Sequence, residues 1–266
     1  MRTIVKWLAM ATALAAGMSV QAALITNSFT TAEGFASGAL NGQKGWITKT
    51  GSAWTVDPSG DGKVTVNSTW NHAVFNQAYT MSAGESLTFR TELKLLGTLV
   101  APSTGSATLM QFGVRTDAST NNPIADHNTV LSAFATGNLI LRGDNNGAPN
   151  ATLGTIAANG TANLAVEYTL NVGASAAEST FSHKIINLDT LVQASASTNL
   201  DSTIYTALTS GGGVYSYLTA AGYNANSSGV TGIDVFSTTV IPEPATVGML
   251  GLGALITLGL RRKLTL

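Results

Sequence analysis

Apolar and polar side chains alternate along much of this chain. Leu87, Phe89, Thr91, Leu93 and Leu95 interleave with Thr88, Arg90, Glu92 and Lys94. Leu164, Val166, Tyr168 and Leu170 interleave with Ala165, Glu167 and Thr169. A period of two is that of a strand with one buried and one wet face. Such runs predict strands over 24–29, 46–48, 53–56, 63–66, 73–76, 85–96, 107–115, 130–134, 139–142, 162–172, 180–186 and 233–240. Residues 204–208 and 214–221 fit a short helix or a strand equally. Turn residues separate the runs: Asp57-Pro58-Ser59-Gly60-Asp61-Gly62, Asp144-Asn145-Asn146-Gly147 and Gly211-Gly212-Gly213. Long helical periodicity and fixed-period repeats are missing. The pattern predicts one all-β domain over 23–240, an antiparallel jelly-roll sandwich larger than an immunoglobulin domain.

The two ends break the alternation. Arg2 and Lys6 precede an uncharged, mostly apolar stretch from Trp7 to Met18, and Val20-Gln21-Ala22 fits a small-residue cleavage site. That is the layout of a secretory signal helix over 1–22, with Ala23 as the first mature residue. Residues 241–266 hold Pro242-Glu243-Pro244, an uncharged run from Ala245 to Leu260, and Arg261-Arg262-Lys263. As a helix that run reaches about 24 Å, short against a hydrocarbon core of about 30 Å. Its four glycines are better tolerated in lipid than in water. The expectation is a transmembrane helix over 245–260, with the basic triplet cytoplasmic and the rest of the chain outside. Pro242 and Pro244 forbid helix at the junction and leave an extended segment at the membrane surface.

Composition narrows the function classes. Of 266 residues, 13 are basic and 14 acidic. Setting aside Arg2, Lys6, Arg261, Arg262, Lys263 and Glu243 leaves eight basic and thirteen acidic groups, a net of −5. A mildly acidic domain is a poor partner for nucleic acid. Cysteine is absent, which removes disulfides, thiolate nucleophiles and zinc–thiolate sites.

Candidate chemistry is sparse. His72, His127 and His183 are far apart, without metal-ligand spacing, and read as polar surface or edge residues. Glu92 and Glu167 are lone carboxylates at solvated strand positions, without the paired spacing a glycosidase needs. No Gly-x-Ser-x-Gly elbow occurs. Asp57, Ser59 and Asp61, or Asp144, Asn145 and Asn146, offer oxygens to Ca²⁺ but lack a distal bidentate acid. They read as polar turns, and no cofactor is expected. Arg142-Gly143-Asp144 spells an integrin-type tripeptide and reads as chance. Trp46, Trp54 and Trp70 are candidates for stacking on a glycan, against core packing as the ordinary use of tryptophan in sandwiches.

The C-terminal order of Pro242-Glu243-Pro244, short Gly- and Leu-rich span and basic end resembles the PEP-CTERM sorting signal. Pro242, Glu243 and Pro244 take the signature positions, and Arg261 and Arg262 the basic end; Leu264, Thr265 and Leu266 extend beyond it. The resemblance implies an exported cell-surface or extracellular-matrix protein, associated with exopolysaccharide and biofilm, and the lack of a catalytic constellation makes the expectation a non-enzymatic one. The resemblance also implies exosortase as a partner and a transient stay in the inner membrane, while the N-terminal signal implies the Sec translocon and signal peptidase. A second resemblance, from Phe35 through Gly38-Ala39-Leu40-Asn41-Gly42-Gln43-Lys44-Gly45-Trp46 to Trp54-Thr55-Val56 and in Gly232-Ile233-Asp234-Val235-Phe236, is to laminin-G and concanavalin-like jelly rolls. It keeps two alternatives open: a carbohydrate-binding lectin-like module and a glycan-degrading enzyme.

Overall fold

The computed structural model describes residues 23–49, 54–59, 63–66, 71–95, 106–120, 127–134, 138–144, 149–155, 162–220 and 231–241. The expected signal helix over 1–22, the span over 245–260 and Trp70 lie outside them. Among the described residues no helix is long and apolar enough to cross a membrane.

The described chain is mostly antiparallel β, in two sheets. The first has nine strands: β1 (Ala23–Asn27), β2 (Gly38–Ala39), β4 (Trp54–Asp57), β5 (Lys63–Val66), β7 (Ser86–Leu95), β12 (Ala162–Asn171), β13 (Thr180–Asn187), β14 (Gln193–Asn199) and β16 (Thr231–Ile241). Its order is β14-β13-β12-β7-β16-β5-β4-β2, with β1 also on β16. The second has seven, in the order β11-β10-β9-β8-β15-β6-β3. These are β3 (Trp46–Thr48), β6 (Asn71–Tyr79), β8 (Ser106–Arg115), β9 (His127–Phe134), β10 (Asn138–Asp144), β11 (Ala151–Thr155) and β15 (Val214–Ala220). Residues 204–208, ambiguous in the sequence, lie in helix α1 (Ser202–Thr209), while 214–220 are strand. Asp201 caps α1 by accepting from the Thr203 amide at 2.7 Å, and Ile204 and Leu208 turn its apolar side into the core.

The core lies between the sheets. Leu87, Phe89, Leu93, Leu164, Val166, Tyr168 and Leu170 meet Met110, Phe112, Val114, Leu131 and Leu141 there. The aromatic centre is formed by Phe29, Phe35, Trp46, Phe75 and Phe236, with ring centroids 4.9–6.1 Å apart. The Phe35–Trp46 segment is a staple that builds this centre. The Gln43 side chain donates to the carbonyls of Ala36 and Ala39 and accepts from the Ala36 amide. Gly45, at φ +87°, turns the chain so that Trp46 enters β3 facing inward.

Candidate functional site

Two places carry the features that bear on function. The first is the end of β16. Its C-terminal half is held on both sides: Val240 lies opposite Ala23 of β1 and Leu87 of β7, and Ile241 opposite Ser86. Pro242 follows with no intervening residue. The signature residues Pro242, Glu243, Pro244, Arg261 and Arg262 lie outside the described residues, but their point of attachment is inside the sheet.

The second is the outer face of the seven-stranded sheet. Cross-strand partners share a face. The registers set His72 opposite Thr219, Thr219 opposite Gln111, Gln111 opposite Val130, and Val130 opposite Arg142. One row therefore crosses five strands, β6-β15-β8-β9-β10. Tyr217, Tyr215, Arg115 and Ser132 stand on the same face by the two-residue period. The Tyr217 hydroxyl lies 2.7 Å from Nδ1 of His72, and the Thr219 hydroxyl 2.9 Å from the same nitrogen. Arg115 sits over the Tyr217 ring at 5.5 Å and donates to Asp117 at 3.1 Å. Burial, then Lys49 and Arg115, lower the His72 pKa to about 4, so the ring is neutral at neutral pH. Burial pushes the Tyr217 hydroxyl up to about 12, against its bond to Thr219 and the nearby Arg115. His72 Nε2, Gln111 Oε1, Ser132 Oγ and Arg142 Nε are buried on this face without a hydrogen-bond partner among the described residues.

The surface placement expected for the histidines is corrected: all three are buried, His72 at 1% exposure and His127 and His183 at 0%. His127 and His183 lie between the sheets. The Tyr168 hydroxyl donates to the carbonyl of His127 at 2.9 Å and sits against its Nδ1. The carbonyl of Pro149 can only accept, so Nε2 of His183 donates to it at 2.9 Å. The Thr129 hydroxyl, which donates to the Arg142 carbonyl at 2.8 Å, lies 2.7 Å from Nδ1 of the same ring. Burial lowers the His127 pKa to about 4 despite Asp201, and lowers that of His183 despite the Pro149 carbonyl. Hydrogen bonding across the core admits these polar rings. The alternating pattern alone did not show which face each would take.

The indoles of Trp46 and Trp54, both 1% exposed, face the core. Trp46 is enclosed by Phe29, Phe75 and Phe236 and offers no face to a sugar. The solvated reading of Glu167 is also corrected. Its side chain is 18% exposed, bonded by Arg90 at 2.6 Å and Lys184 at 2.5 Å. Burial raises its pKa, but these two cations outweigh it and leave the carboxyl below its ordinary value. Arg90 also reaches Glu92 at 2.7 Å, so both carboxylates are tied to one guanidinium on the outer face of the nine-stranded sheet. Asp57 forms a polar turn, accepting from the Ser59 amide and hydroxyl at 3.2 and 2.5 Å. Asp61, Asn145 and Asn146 lie outside the described residues. Arg142-Gly143-Asp144 is the end of strand β10, not a loop.

Gln111, Ser132, Tyr217 and Thr219 were not singled out in the sequence. The available signal was parity. Gln111 and Arg115 interrupt the apolar run 109–115 at alternate positions, which sets them on the face opposite Met110, Phe112 and Val114.

This architecture defines a class, the lectin-type antiparallel jelly roll. Peanut lectin superposes with a TM-score of 0.52 at 9% identity, over 84% of this chain and 98% of that one. The endo-1,3-β-glucanase of Streptomyces sioyaensis gives 0.54 at 10%, over 84% and 98%. Lectin II from Ulex europaeus gives 0.54 at 10%, over 82% and 98%. At such identities the likeness is one of fold. Residues 240–263 match the family model of the PEP-CTERM protein-sorting motif. The chain thus joins a lectin-like jelly roll to a PEP-CTERM sorting signal, which implies an exported protein sorted by exosortase. No curated protein matches the sequence.

Proposed function

We propose that the chain is a non-enzymatic cell-surface or extracellular-matrix protein delivered by its own C-terminus. The Sec translocon exports it and signal peptidase cuts after Ala22. The segment 245–260 holds it transiently in the inner membrane. Exosortase then cuts at the Pro242-Glu243-Pro244 signal, and the released domain joins the exopolysaccharide of the biofilm. The observation that carries this reading is the sorting motif at 240–263, attached directly to the last strand of a secreted-type jelly roll. The ion-paired state of Glu92 and Glu167 supports a non-enzymatic role, because a glycosidase needs one carboxyl free to donate a proton. Cell fractionation tests the reading. The protein should occupy the matrix fraction of exosortase-positive cells and the inner membrane of exosortase-negative cells; one distribution in both would refute it.

A second reading, carbohydrate binding, is favoured by the row from His72 to Arg142. Four buried polar atoms on one face, without partners among the described residues, form a set whose donors and acceptors hydroxyl groups would match. On this reading Gln111→Ala and Arg142→Ala abolish retention of the protein on its target polysaccharide. Unchanged retention in both variants would remove this face from consideration.

A further inference from the structure

The sorting motif and the fold overlap. The matched residues begin at Val240, and Val240 and Ile241 are the last two residues of β16. On one side of this end stands β7, paired with β16 over its whole length from Leu95 to Ser86. On the other side stands β1, which runs from Ala23 opposite Val240 to Asn27 opposite Phe236. The two partners are unequal. β7 is an interior strand that also pairs with β12 from Ser86 to Leu95. β1 has five residues and, among the described residues, pairs only with β16.

β1 also begins at Ala23, the first residue behind the expected signal-peptide cut. The two processing boundaries are therefore cross-strand neighbours, with Cα atoms roughly 5 Å apart by antiparallel geometry. They lie at the same end of the sheet, as two segments entering one membrane from one side require. Leu24 and Ile241 are 64% and 51% exposed at this end. The other large exposed aliphatics among the described residues, Leu191 and Val192, lie in the β13–β14 turn at the opposite end.

A processing enzyme that binds its substrate extended must reach backbone N–H and C=O groups next to the scissile segment. With β1 and β7 both in place, the groups of Val240 are committed to the ladder. Pro242 follows Ile241 directly, so no linker gives the enzyme slack.

We propose that β1 is a latch on the sorting signal. Exosortase engages residues 240–244 after β1 has peeled from the end of β16, and this release sets the rate of processing. The inference rests on the sorting reading above and adds the structural step that controls it. β1, the short edge strand, is the side that opens, while β7 stays bound within the sheet.

The test uses the full chain expressed in exosortase-positive cells. Leu24→Cys with Thr239→Cys places a cysteine on each strand at directly opposed positions, outside the matched motif. Opposed antiparallel positions fall within disulfide range. The natural chain is free of cysteine, so the cross-link is the only thiol chemistry added to it. In a pulse–chase, the oxidised double variant should be processed at least tenfold more slowly than the same variant after reduction. The single-cysteine variants should follow the wild type under both conditions. A six-residue Gly-Ser spacer between Ile241 and Pro242 should restore processing of the oxidised form. Equal rates for the oxidised and reduced forms of a chain that is cleaved would overturn the latch alone. A wild-type chain left uncleaved would overturn the sorting reading and the latch together.

Discussion

Buried histidines contribute to the acid sensitivity of this domain. The rings of His72 and His127 titrate at about 4 in the fold against 6.5 in an unfolded chain. Between those values the unfolded chain binds more protons, so stability falls as pH drops from about 6.5 and the loss is complete near pH 4. His183 shifts in the same direction and adds to the loss. Thermal unfolding should therefore show a lower midpoint at about pH 4.5 than at about pH 7, with a slope reduced in His127→Gln; a flat profile would contradict it. None of this was legible from the sequence, because a histidine at a strand position carries no mark of the face it takes. The tryptophans were legible only as alternatives. Burial settles Trp46: Trp46→Ala should cost about 3–5 kcal/mol in denaturant unfolding, the price of emptying a core site. A variant of wild-type stability would return the indole to the surface.

At the scale of elements, strands with strict alternation were the most legible. The segments predicted over 85–96, 107–115 and 162–172 are β7, β8 and β12, within a residue or two at each end. β14 was invisible for a physical reason. Its outward residues Gln193, Ser195, Ser197 and Asn199 are polar, and its inward ones include only Ala194, Ala196 and Thr198. An edge strand over the margin of the core needs no large apolar side chain. β2 has two residues and no period to read. Residues 204–208 became helix because α1 closes one end of the sandwich, where the Met81 amide donates to the Leu208 carbonyl at 2.9 Å. Tertiary context decided what five residues could not. On the outer face of the nine-stranded sheet, the Arg90, Glu92, Glu167 and Lys184 array is only partly buried. Glu167→Gln should therefore cost about 1 kcal/mol or less, and the difference should shrink in high salt. A larger, salt-insensitive loss would mean that the array holds the sheet together.

For the whole molecule, the sequence located the sorting signal but not its relation to the domain. Pro242-Glu243-Pro244 was readable from order and composition. That the signal is flush with β16, and that β16 carries Ala23, the first residue behind the expected signal-peptide cut, beside it, needed the register. A jelly roll that sets Ala23 beside Val240 suits the proposed processing at both ends. The likeness to lectins and to a glucanase is one of fold, and the proposed carbohydrate reading rests on the row from His72 to Arg142. The central claim concerns processing. Its most direct measurement is the intact mass of the protein from cells with and without exosortase. The account predicts that exosortase-positive cells hold a form that begins at Ala23 and lacks the segment from Ala245 onward, and that exosortase-negative cells retain that segment. A form still ending at Leu266 in exosortase-positive cells would contradict it.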